Sequence, residues 1–446
     1  MGIKNDQVRN FVLVFLVLLS GLLSYNLWTA GRNIAEEEET PSDQIARSNV
    51  SLTTHSMSDT FRPTSVALHG VDNQYSTLLG NTYPLRRWLR EEFEHRNLNR
   101  VESSEFVNYE DYLNVLQSER WLEFIYTEEQ PIGMIEKKFE ELPRDTANEF
   151  FDRMLINLDD QNTVYLYHTT SESLYTISIL EEEDIDIDIF LNRDNIDYVG
   201  AFAQILESNI IYLPNEPLEV PNKSYVSNQL SDSNYIESFF PDTSLVDRRS
   251  DSEITRYIDL TKEVTFDKNT NTLSYLRQIS ETSELEATAR FTRSFEQVNR
   301  FENWSDTFMF SAYDQEEKIV YFQREIDGYP VFSTEGKETI SEVGLVESGV
   351  THLKLPLRFI DTPITIKEAP TEELISGAKL ITQLNAATTT DTFAQIDDIT
   401  IGYSWDESEE ESQVIYFNPE WFISMEGTWM TIDEFLELHG EVTYGL

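Results

Sequence analysis

Six histidines have the most chemistry to offer: His55, His69, His95, His168, His352 and His439. They are scattered singly, and no spacing among them would bring two imidazoles onto one metal ion. His69 and His168 stand in strand-like stretches, where a packed structural role is the expectation. Cysteine is absent, so thiolate nucleophiles and disulfides are ruled out together. No nucleophile elbow, S-x-x-K, H-E-x-x-H or Walker loop occurs. The chain carries 81 acidic residues, too many for spacing alone to single out an acid and a base.

Two acidic stretches resemble cation sites. "DKNTNTLSYLRQ" (267–278) places side-chain oxygens at positions 1, 3 and 5 of a calcium loop. It has Thr272 where the loop needs glycine and Gln278 where it needs a bidentate glutamate, so a hairpin turn is the better reading. In "DIDIDIF" (184–190), Asp184, Asp186 and Asp188 alternate with isoleucines. Along a strand these carboxylates stand about 7 Å apart, too far for one ion, and a solvated strand face is expected. The sequence therefore assigns no catalytic, cofactor-binding or metal-binding residue, and no cofactor.

The elements that would position a site read as α+β. An amphipathic helix is expected at 83–97, with Leu85, Trp88, Leu89 and Phe93 on one face. A helix capped by Asn108 leads into a strand over 120–126. A helix is expected at 143–155, burying Phe150, Phe151, Met154 and Leu155, and then a strand at "NTVYLYHT". Hairpins are expected at 263–278, 307–332 and 398–421. Between the last two, 371–386 reads as a helix with Thr371, Glu372 and Glu373 in its first turn. Mixed, mostly antiparallel sheets follow from these short local hairpins.

Ahead of all this lies an apolar run, 11–29, preceded by Lys4 and Arg9 and followed by the acidic block Glu36–Glu39. The basic flank keeps residues 1–10 in the cytoplasm and places the bulk of the chain outside. Tyr25 and Trp28 sit where interfacial aromatics belong, and no good cleavage site follows, so a retained single-pass anchor is expected. At 100° per residue, Leu13, Val17, Ser20, Ser24 and Trp28 share a stripe, with Gly21 at its edge. Its small residues would let a partner helix approach closely. The net charge of −48 repels nucleic acid and anionic headgroups at long range. The expected layout is an acidic linker at 30–58 and three α+β domains at 59–160, 161–295 and 296–446.

Five segments, taken in order, resemble the YycH family of Gram-positive bacteria: "FVLVFLVLLSGLLSYNLWT", "YLPNEPLEVPNKSYVS", "FFPDTSLVDRR", "VTFDKNTNTLSYLR" and "VIYFNPEWFISMEGTWM". The resemblance implies a one-pass membrane protein with a three-domain α+β exterior and no enzyme activity. It further implies action with a YycI-like partner, partly through membrane helices, on the essential sensor histidine kinase WalK (YycG), which controls cell-wall metabolism. The high acidity here departs from the family. Two other functions remain open. One is an extracytoplasmic sensor of wall fragments or peptides, with Trp405, Trp421 and Trp429 lining one groove. The other is a wall hydrolase, which would need a deep pocket of convergent carboxylates.

Overall fold

The described chain enters on a single helical turn, α1 (Met57–Thr60), capped by Ser56, and then alternation takes over. Nine strands follow: β1 (Ser65–Val71), β2 (Gln74–Thr77), β3 (Leu98–Phe106), β4 (Trp121–Pro131), β5 (Phe150–Asn157), β6 (Thr163–His168), β7 (Ser173–Ile179), β8 (Val199–Ile205) and β9 (Ile210–Pro214). They pair antiparallel in the order β3-β7-β6-β5-β4-β1-β2-β8-β9. With a side-chain period of two, Leu122, Phe124, Met154 and Ile156 turn to one face, against Trp88 and Phe190. Trp121 and Leu155 turn to the other, where α2 (Tyr109–Ser118) lays Tyr112 and Leu116. Asn108 caps α2 as expected, accepting the Asp111 N–H at 3.0 Å.

This computed structural model describes residues 55–440 apart from 72–73, 78–84, 86–87, 89–97, 139–141, 161, 180–186, 188–189, 191–197, 208, 241, 280–282, 334–337, 365–369 and 408–412. All belong to one compact unit, Ile45–Leu446. The other unit, Met1–Gln44, lies outside the described residues. So do the span 11–29 and its residues Leu13, Val17, Ser20, Gly21 and Ser24. Among the described residues no helix is long and apolar enough to cross a membrane.

The later strands are β10 (Leu218–Pro221), β11 (Lys223–Gln229), β12 (Asp247–Ser250), β13 (Ile254–Asp259), β14 (Lys262–Asp267), β15 (Thr272–Arg277), β16 (Phe308–Asp314), β17 (Ile319–Ile326), β18 (Tyr329–Phe332), β19 (Ile340–Val346), β20 (Gly349–Pro356), β21 (Arg358–Pro363), β22 (Thr371–Leu374), β23 (Ile396–Glu407), β24 (Val414–Met425) and β25 (Thr428–Thr431). β10 and β22 form a two-stranded ribbon, and the rest share a second large sheet. Its pairings are antiparallel except for β18 beside β23. After the short α3 (Arg144–Ala147), the helices are α4 (Asp232–Phe239), α5 (Ala287–Asn299), α6 (Gly377–Ala387), α7 (Thr390–Ala394) and α8 (Ile432–His439). α4 and α5 bury Phe239, Phe291 and Phe295 against β14–β17, and α6 and α8 bury Leu380, Leu384 and Phe435 against β23 and β24. The architecture is mostly β, with antiparallel sheets and packed helices, consistent with α+β. The hairpins β14–β15, β16–β17 and β23–β24 stand where the sequence puts them.

Three expectations need correction. In 143–155 only α3 is helical; Phe150, Phe151, Met154 and Leu155 belong to β5. β5 is a central strand buried on both faces, so its apolar run shows no alternation and imitates helical spacing. Within 371–386, Thr371–Leu374 pairs with β10, and the helix starts only at Gly377 behind Ser376, whose Oγ accepts the Lys379 N–H at 3.4 Å. Gly377 is required there, because a Cβ would stand 2.4 Å from Leu213 Cβ. Within 184–190 the two described residues are not in a strand, and Asp184, Asp186 and Asp188 lie outside the described residues. Ile187 lies outside any element, and Phe190, which is helical, donates its N–H to the Ile187 carbonyl at 2.9 Å. The expected division at 160/161 falls between β5 and β6, which are hydrogen-bonded to each other, and that at 295/296 falls inside α5.

Candidate functional site

One charged residue interrupts the apolar run "WLEFIY" of β4: Glu123, fully buried. Tyr112 and Tyr212 each donate a hydroxyl to its carboxylate at 2.7 Å, and His69 Nε2 lies 2.7 Å away. Arg153 Nε stands 3.4 Å from Oε1. Burial alone would raise this carboxyl, but His69, Arg153 and Tyr212 outweigh it and bring it down to about 2. Arg153 also donates Nη2 to Asn209 Oδ1 at 2.7 Å and to the Ile210 carbonyl at 3.1 Å. Tyr212, Asn209 and Ile210 belong to β9 or the turn before it. The network therefore pins β9 across the face of β4 and β5, although β1, β2 and β8 separate them in sheet order. These partners leave the carboxylate strongly acidic and hydrogen-bonded, so the network acts as a clasp.

Beside the clasp a cleft of about 150 Å³ separates the first sheet from β16–β18 and β23, with Arg153 and Asp398 among its lining residues. Burial, reinforced by Asp397, pushes the Asp398 carboxyl up to about 7, against the opposing pull of the Ile399 N–H and Arg153. Nearby Glu128 is pushed up too, first by desolvation and then by Asp398, Glu129 and Asp152. More than a third of Glu128 still meets solvent, which holds its shift below that of a fully enclosed group. Small-molecule sites occupy about 300–1,000 Å³. The cleft is smaller than that.

A larger hollow lies at the other end of the second sheet. It measures about 820 Å³ and runs between β22, α6, β24 and α8. Trp421 lies in its wall, donating its indole N–H to the Ile375 carbonyl at 3.0 Å.

The three tryptophans expected to line one groove do not meet in one. Trp405 and Trp421 are buried, Trp405 stacked on Trp304, while Trp429 borders the small cleft. The calcium-like stretch forms the β14–β15 hairpin, where Asp267 accepts the Asn269 N–H at 2.9 Å. Among the described residues no group of three metal-ligating side chains gathers. Three histidines pair with carboxylates: His69 with Glu123, His168 with Glu129 and His352 with Glu342. Sequence reasoning passed over Glu123 and Arg153. Glu123 had a signal, a lone charge inside the apolar run "WLEFIY", whereas Arg153 follows Asp152 at the edge of an apolar run and had none.

Two family models match this chain: "YycH protein, N-terminal domain" over residues 6–188 and "YycH protein, C-terminal domain" over residues 208–440. A Bacillus subtilis (strain 168) protein named "Two-component system WalR/WalK regulatory protein YycH" is 20% identical over 447 aligned residues, covering 95% of each chain. The crystal structure of YycH from Bacillus subtilis superposes with a TM-score of 0.69 at 17% identity, covering 86% of this chain and 98% of that one.

Proposed function

This chain belongs to the YycH family, and we propose that it regulates a WalR/WalK-type two-component system as a membrane-anchored, non-catalytic accessory of the sensor histidine kinase. The observation that carries this reading is the match to the Bacillus subtilis regulator along 95% of both chains. The apolar run 11–29 behind Lys4 and Arg9 supports a single anchor with the described sheets outside the cell. The clasp supports a non-catalytic role, because its carboxylate is held by partners and faces no substrate-sized space. In this proposal a YycI-like protein and the kinase are the partners. The stripe of Leu13, Val17, Ser20, Gly21 and Ser24 packs on a partner helix, and the output is control of cell-wall metabolism. The test is affinity capture of the detergent-solubilised full-length chain from its native membrane, followed by mass spectrometry. Recovery of a sensor histidine kinase, lost when residues 1–29 are exchanged for an unrelated anchor, is the expected result. A capture without any kinase refutes the reading.

A further inference from the structure

The hollow between β22, α6, β24 and α8 combines two features that the rest of this acidic surface does not explain. Its floor is apolar: Leu374, Ile375, Trp421, Ile432 and Leu436. Its rim carries Glu372, Glu373, Glu420 and Asp433, and no lysine, arginine or histidine is among the lining residues. A net charge of −48 scatters carboxylates everywhere, but a solvated acidic face has no need of an apolar concavity of about 820 Å³. At one end Asn222 donates its amide to Asn418 Oδ1 at 2.7 Å, while its own buried Oδ1 has no donor.

We propose that this groove is a docking site for a basic amphipathic peptide segment of a partner protein, with apolar side chains on the Trp421–Leu436 floor and lysine or arginine on the rim carboxylates. Charge complementarity selects this occupant. An acidic segment, including a second copy of this chain, meets four like charges, and an uncharged one leaves them unpaired. Glu420 fits the same picture: burial, with repulsion from Asp406, Asp433 and Glu434, already pushes its carboxyl up despite the hydrogen bond with Ser404, and an incoming cation would relieve that strain. The inference stands whichever protein the chain regulates.

The test uses the full-length chain in detergent and two fluorescein-labelled synthetic peptides, leucines alternating with lysines in one and with glutamates in the other. Fluorescence anisotropy should show binding of the lysine peptide alone, weakening as salt rises. Glu420→Gln with Asp433→Asn should weaken binding about tenfold at low salt, two partly desolvated contacts together being worth roughly 1.4 kcal/mol. Ala386→Trp, an exposed helix position that lines the groove, should block it. Glu316→Gln with Glu317→Gln removes equal charge from the exposed β16–β17 turn and should change nothing. The proposal is overturned by failure of the lysine peptide to bind, by equal binding of the glutamate peptide, by equal weakening from the Glu316/Glu317 pair, or by indifference to Ala386→Trp.

Discussion

Replacing Glu123 with glutamine tests whether the buried clasp holds the first sheet together. The exchange keeps the shape of the side chain and removes its charge from a site that water does not reach. In the folded chain this carboxyl is brought down from 4.5 to about 2. At about 1.36 kcal/mol per unit, the ionised form is favoured by roughly 3 kcal/mol in the folded state. Because the folded value is depressed, that contribution is complete above pH 4.5 and disappears as pH falls through about 2. Glu123→Gln should therefore cost about 3 kcal/mol at pH 7, close to the 3–5 kcal/mol typical of breaking a buried ion pair. With a urea slope of about 2–3 kcal/mol/M, the midpoint should fall by about 1–1.5 M. Urea titrations followed by circular dichroism at pH 7, 4.5 and 3 should show the gap between the two proteins narrowing as acid is added. A midpoint shift below about 0.3 M at pH 7, or a gap independent of pH, would show that the clasp is neutralised in some other way.

Three further outcomes follow from other parts of the molecule. Asp398 has the opposite sign from Glu123: its folded value lies above its ordinary one, so its contribution is complete below pH 3.8 and lost as pH rises through about 7. Asp398→Asn should thus raise the melting temperature at pH 8 and leave it unchanged at pH 4; equal effects at both would refute the assignment. Gly402→Ala puts a Cβ 2.5 Å from the Phe332 ring and 2.7 Å from the Pro330 carbonyl. Forcing β18 off β23 should cost about 1–3 kcal/mol, measured by urea denaturation. Ser20→Leu with Ser24→Leu keeps the span apolar but removes close helix approach. It should shift wall-gene expression several-fold, at about 1 kcal/mol per lost contact, while Leu18→Ile with Leu22→Ile should not. Equal effects from the two pairs would make the run a plain anchor.

The part of the strand content that was legible is the part built from hairpins, because hairpins are local. Asp267–Thr272 and Asp327–Gly328 carry turn residues between alternating runs, and the turns close where that chemistry puts them. β5 was not legible. A strand buried on both faces loses the period-two signal, and Phe150, Phe151, Met154 and Leu155 happen to match a helical spacing. β22 failed for another reason: its partner β10 lies roughly 150 residues away in sequence, and no local property of Thr371–Leu374 announces that pairing.

The candidate sites were harder to read than the fold, and for a common reason. Catalytic residues announce themselves because bond-making chemistry restricts which side chains stand at which spacing. A clasp or a docking groove is under no such restriction: Glu123, Arg153, His69 and Tyr212 meet from four strands and mean nothing apart. The tryptophans show the converse. Three indoles look like a ligand-binding set in the sequence, yet Trp405 and Trp421 are spent on the core of β23 and β24. Only Trp421 also reaches a hollow large enough to hold a ligand, and there the neighbouring carboxylates decide what that ligand would be. In the proposed function the chain works through its surfaces, so composition restricts the class of partner and the fold decides where on the surface that partner fits.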